Sequence, residues 1–145
     1  MEFSWKERLR HYKHMKQELG RQRERLERLC SSLELPAHGE YNALRPSGKR
    51  EMEAKSNKGY HEDRLADGMD RLFKLENKIL DSINWLNNET LEIETAIQGL
   101  SDPMQREIMR LRYIEGEKWE NICVLISYEW AQTHRMHGIA LQKLR

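Results

Sequence analysis

The chain has 145 residues, enough for one or two small domains with a modest core but short for a multidomain enzyme. Charged residues make up 34% and hydrophobic ones 38%, with only 8 Gly and 3 Pro, a balance that favours extended, solvent-washed helices over sheets. The formal net charge is +1, so bulk charge does not call for a nucleic acid and any such role must rest on local placement. That placement is uneven. Residues 1–35 hold nine basic against six acidic side chains, residues 61–100 four against nine, and residues 101–145 seven against six. The first two stretches therefore attract each other.

Cys30 and Cys123 both fall at apolar positions of helical patterns, where a thiol acts as a small buried hydrophobe rather than as half of a disulfide framework. No run reaches the length of a membrane span, and the first residues lack the apolar stretch of a signal peptide. A cytoplasmic protein without membrane partners is expected.

Along the chain, apolar residues first recur every seven positions at Trp5, Tyr12, Leu19, Leu26 and Leu33, with Leu9, Lys16, Arg23 and Cys30 as the companion row. This predicts a long helix over residues 1–35, roughly 45 Å in length, ended by Pro36. Residues 36–60 are rich in Pro, Gly, Ser and Asn and predict a flexible connection, with room for a short helix around Lys49 to Ala54. A second heptad follows over residues 61–100: Leu65, Leu72, Ile79, Leu86, Ile93 and Leu100, with Met69, Glu76, Ile83, Thr90 and Ile97 between them. Basic breaks at Lys16 and Arg23 and an acidic break at Glu76 suggest opposite charges meeting in one seam. The pattern leaves open whether the two helices form a hairpin within one chain or a coiled coil between two, as in a homodimer.

After Gly99 the period changes. Asp102 is placed to cap a helix, Pro103 suits its first position, and Gln105 stands where a capping-box partner belongs. That helix runs through Ile108, Leu111 and Ile114 to a stop at Gly116. Trp119, Ile122, Cys123 and Ile126 then mark a short one-faced helix, and after a break at Ser127-Tyr128 a last helix buries Thr133, Met136, Ala140 and Leu144. Three helices of about 12, 8 and 16 residues with tight connections match a helix-turn-helix over residues 101–145, whose last helix enters the major groove. The side left out of the core stripe carries Trp130, Gln132, His134 and Arg135. Gln132 suits adenine and Arg135 guanine, while Lys143 and Arg145 suit phosphate.

The stretch from Ile108 through Arg112-Tyr113-Ile114-Glu115-Gly116 and Trp119-Glu120-Asn121-Ile122 to Ile139-Ala140-Leu141-Gln142-Lys143-Leu144-Arg145 resembles region four of bacterial sigma factors. The whole layout is similar to small phage regulators of the RinA and ArpU type, including the string Arg135-x-His137-x-x-Ala140-Leu141. It departs from them at Glu129, where Ser or Thr is usual before the recognition helix, and at Gly138 inside that helix. The resemblance implies a phage-encoded transcription regulator acting in the bacterial host, with double-stranded DNA and host RNA polymerase as partners.

Chemistry of other kinds finds little support. His11 with His14, and Cys123 with His134 and His137, fall short of the four ligands of a structural zinc site. There is no phosphate-binding Gly loop and no nucleophile elbow, so neither an enzyme nor a cofactor or metal is expected. One alternative stays open: an antirepressor-like helical scaffold or interaction module that keeps the three-helix fold without binding DNA. The near-neutral last 45 residues and Glu129 speak for it.

Overall fold

Trp5–Ser32 forms helix α1 and Lys58–Gln98 forms α2 in the computed structural model, which describes residues 4–33 and 58–145, with side chains of the second stretch described from 63 onward. Helix α3 (Pro103–Met109) runs into a single π-helical turn, Arg110–Ile114, and is followed by α4 (Trp119–Ile126) and α5 (Trp130–Lys143). The described residues contain no strand, and the fold is all-α, two long helices followed by shorter ones. Among these residues no helix is long and apolar enough to cross a membrane. The second long helix begins a few residues earlier than its apolar pattern suggests. Otherwise the connection expected over residues 36–60, with its stop at Pro36 and its short helix, lies outside the described residues.

The chain divides into two units, one of Met1–Gln17 with Asn84–Arg145 and one of Glu18–Ile83. In the first, the start of α1 runs antiparallel to the end of α2. Arg8 forms a two-pronged ion pair with Glu89, and the edge of His11 meets the Trp85 ring at 5.0 Å. The buried Tyr12 hydroxyl donates to Thr90 Oγ1 at 2.7 Å, and Thr90 donates in turn to the Leu86 carbonyl at 2.7 Å, so both hydroxyls on this apolar surface are satisfied. In the second unit the direction is again antiparallel. Ser82 Oγ lies 3.2 Å from Gln22 Oε1, both residues being buried, and Leu33 packs over Gly68, where a Cβ would stand 2.3 Å from its Cδ2. In both units the two long helices pair within one chain.

The expected row Leu72, Ile79, Leu86, Ile93 and Leu100 is buried. Its companions differ. Gly68, Leu75 and Ser82 are buried in place of Met69, Glu76 and Ile83, whereas beyond Leu86 the expected Thr90 and Ile97 do turn inward. Steps of three and four alternate except at Ser82–Leu86–Thr90, where two steps of four follow each other. A helix of 3.6 residues per turn drifts from a strict seven-residue repeat, and an extra step of four restores its buried face. Leu65 stays about half exposed. On α1, Lys16 and Arg23 are exposed and Gln22 takes the inward position, so the charges expected to meet in the seam lie outside it.

Asp102 caps α3 as expected, its Oδ1 accepting from Met104 N–H at 2.8 Å, with Pro103 in the first helical turn. Gln105 does not complete a capping box: it is buried and its Oε1 accepts no hydrogen bond from the described residues. The π turn leaves the Tyr113 and Ile114 carbonyls facing outward, and Lys16 Nζ donates to them at 3.3 and 2.8 Å. A residue that breaks the heptad therefore ties α1 to the end of the third helix. Gly116 turns the chain at φ 74°. Ile108, Leu111, Ile122 and Ile126 form the core of the three short helices, with Met104, Trp119, Tyr128 and Met136 packed against it. Ser127 closes α4 in the left-handed region (φ 57°), its N–H bonded to Val124 O and the next N–H, of Tyr128, to Cys123 O. Only Ser127, Tyr128 and Glu129 separate α4 from α5.

Ile79→Asp, which buries a charge with no partner on the long-helix seam, is expected to cost about 3 kcal/mol or more; unchanged urea unfolding would show the seam to be misplaced. At the α4–α5 turn, Ser127→Gly is expected to stabilise by up to about 1 kcal/mol and Ser127→Val to destabilise by about 1 to 2, because a β-carbon is costly at positive φ and a branched one more so. Thermal melts of the two variants should move in opposite directions.

Candidate nucleic-acid interface

The orientation of α5 is set by what it buries. Thr133 and Ala140 are fully covered, Leu144 follows just beyond the last turn, and Met136 reaches the core. Thr133 Oγ1 donates to the Glu129 carbonyl at 3.0 Å and accepts from Cys123 Sγ at 3.4 Å, which links α5 to α4. Glu129 occupies the N-cap with extended backbone and no side-chain capping bond, as its carboxylate is poorly suited to that place. On the opposite side, Gln132, Arg135, Ile139 and Gln142, spaced by three, four and three residues, form one exposed face.

A run of aromatic rings holds the third side of α5. Trp130 leans on His134 with centroids 4.6 Å apart, His134 on Trp119 at 4.3 Å, Trp119 meets His137 edge-on at 4.8 Å, and His137 stacks on Tyr113 at 5.8 Å. The Tyr113 hydroxyl and His137 Nε2 lie 2.8 Å apart, and the Arg112 guanidinium sits 4.6 Å over the Trp119 ring. His134 and His137, one helical turn apart, thus clasp a single indole.

The sequence-predicted residues separate into three groups. Gln132 and Arg135 are exposed side by side near the start of α5, and Trp130, about half exposed, borders them. His134 departs from its expected outward position: it is enclosed between two tryptophans, and its buried Nε2 has no hydrogen-bond partner among the described residues. Lys143 and Arg145 are exposed but stand at the far end, roughly 16 Å along the helix axis from Gln132 at 1.5 Å per residue. There they line a groove of about 530 Å³ with Trp5 and Glu92, so a carboxylate shares their surroundings.

A second set of cations lies on α1. Lys6, Arg10 and Lys13 follow each other at i, i+4 and i+7 on α1 and lie within electrostatic reach of the aromatic run: Lys6 acts on His137, Arg10 on Tyr113, and Arg112 acts on Lys13. Burial and then Arg112 push the Lys13 ammonium down from its usual range. The spacing of these three was visible, but nothing local revealed that the start of α1 returns beside the last helices. Ile139 was missed because an apolar residue on a predicted polar face reads as noise.

The candidate zinc sets do not assemble. Cys123 turns to Thr133, His137 to Tyr113, and His11 to Trp85. No three His, Cys, Asp or Glu side chains converge among the described residues. The chain matches no protein-family model, no curated protein and no solved structure.

His137 carries the strongest electrostatic signature. Burial, then the neighbouring His134, Arg112 and Lys6, hold its imidazole neutral and lower its pKa to about 4. An unfolded chain takes up this proton near pH 6.5, the folded one only near 4, so the stabilisation is complete above about 6.5 and is lost as pH falls toward 4. After discounting for partial solvent access, the loss should be on the order of 2 kcal/mol. Urea melts from pH 7.5 to 4 should show this decline in the wild type and a shallower one in His137→Gln.

Proposed function

We propose that the chain is a sequence-specific DNA-binding regulator of the phage type, reading the major groove with α5. The observation that carries this reading is the exposed Gln132–Arg135–Ile139–Gln142 face on a helix joined to α4 by three residues. Gln and Arg supply the two bidentate pairings to adenine and guanine, and Ile139 offers apolar contact to a thymine methyl. Lys6, Arg10, Lys13 and Arg112 add positive charge beside the helix, which suits flanking phosphates. Trp130 belongs at the edge of such an interface, and His134 acts from within, holding the helix rather than touching a base.

The reading places the protein in the cytoplasm of a bacterial host, with host RNA polymerase as a second partner. It requires no cofactor and no catalytic residue. A homodimer through the long helices could use their outer residues, of which Phe73 and Leu80 are exposed. The second reading, an interaction module that does not bind DNA, draws on Val124 and Leu125, adjacent residues of α4 that are both largely exposed.

Selection from a random duplex library, followed by titration of the enriched site, tests the proposal. Arg135→Ala should weaken the enriched site by about 1 to 3 kcal/mol and relax preference at one base pair. Lys143→Ala should have a smaller effect, equal on all sequences. Failure of the folded wild type to enrich any sequence would transfer support to the interaction module.

A further inference from the structure

The second unit carries a cationic groove that the α5 reading does not use. On α1, Arg25, Arg28, Leu29 and Ser32 stand at i, i+3, i+4 and i+7, and on α2 Arg71, Lys74, Leu75 and Lys78 repeat the same spacing. Each helix thus presents one strip to a shared groove of about 500 Å³. Leu29 and Leu75 are its partly and fully covered floor; the five cations are exposed along its rim.

The segregation of charge is the informative part. Residues 61–100 hold nine acidic and four basic side chains, yet three of those four basic residues line this groove. Among the described residues no carboxylate lines it. Asp70 reaches Lys74 at 2.9 Å from outside the groove, as an exposed pair within α2 that contributes little. Five cations facing one another across an apolar floor repel, and a polyanion would relieve that repulsion.

We infer that this groove grips the phosphate backbone of duplex DNA without regard to sequence. Seven residues of helix cover roughly 10 Å, about the axial length of three successive phosphates on one strand. Arginine, three of the five cations, matches phosphate oxygens with its planar fork. The inference shares with the reading of α5 the choice of duplex DNA as partner, but it does not depend on which bases α5 reads.

The full chain should be titrated by fluorescence anisotropy against a short mixed-sequence duplex over a range of KCl. Each phosphate neutralised adds about 0.9 to the slope of log affinity against log salt. The triple variant Arg25→Gln, Arg28→Gln, Arg71→Gln is therefore expected to lose about 2 to 3 units of slope and at least about tenfold in low-salt affinity on every sequence. Its melting temperature should not fall and its preference for the enriched site over mixed sequence should not change, and the corresponding three Arg→Lys changes should keep most of the slope. An unchanged slope in the glutamine variant overturns the groove. So does wild-type binding to polyglutamate or to phosphatidylserine-rich vesicles in the absence of duplex binding. The two readings fail separately: a lost slope with intact preference in Arg135→Ala and Gln132→Ala leaves the groove and removes α5 as reader, and the converse leaves α5 and removes the groove.

Discussion

Trp119 is the side chain on which the candidate interface depends. Its ring packs on the Ile108–Leu111–Ile122–Ile126 core, lies beneath Arg112, and is held by His134 and His137 from one side of α5. Two contacts one turn apart fix a helix against rotation about its own axis, where a single contact would allow it to roll. With Thr133 and Ala140 turned to the core and the two histidines to the indole, Gln132, Arg135 and Ile139 have only the outside left. The exposed face is thus a consequence of aromatic packing. The price is a buried imidazole nitrogen on His134 without a partner among the described residues and a depressed pKa on His137.

A second set of constraints comes from α1. Arg8 with Glu89, Tyr12 with Thr90, and Lys16 with the Tyr113 and Ile114 carbonyls all lie within its first four turns. Each uses a polar end on a side chain whose stem lies along apolar surface. Together they make the first seventeen residues part of the same unit as the three short helices. The basic residues Lys6, Arg10 and Lys13 enter the electrostatics of the last helices by that route, although more than a hundred positions separate them from α5 in sequence.

Much of this was legible from periodicity and punctuation. The stripe Leu72–Ile79–Leu86–Ile93, the start at Asp102-Pro103, the stop at Gly116 and the break before Trp130 were all visible, because each follows from local geometry and from one residue type. The direction in which α1 meets α2 was not, since a heptad states that a face is apolar and not what covers it. On α1 a strict seven-residue count puts Lys16 and Arg23 in the seam, but the buried row passes through Gln22, one position before Arg23, as a helix of 3.6 residues per turn drifts from that count. His134 was placed outward for a related reason. An i, i+3 pair of histidines can face solvent or share a ring, and only the position of Trp119, on another helix, decides between them. The exposed pair Gln132 and Arg135 was recoverable because it is simply the complement of the core stripe.

The buried pairing of Ser82 with Gln22 bears on how sequences of this design can diverge. A slip of one turn in either helix would leave the Gln22 amide among leucines without the Ser82 hydroxyl, which keeps the Lys78 carbonyl of its own helix at 3.0 Å, so the cost that favours one alignment falls on Gln22. Alignment is then encoded in the helices and not in the chain that joins them. Closing a longer connection costs only about 0.6 kcal/mol for each doubling of its length. The segment between α1 and α2 is accordingly free to lengthen, shorten or change composition while the two helices keep their register. Divergence in this architecture should accumulate there first, and a change at Ser82 should be followed by one at Gln22.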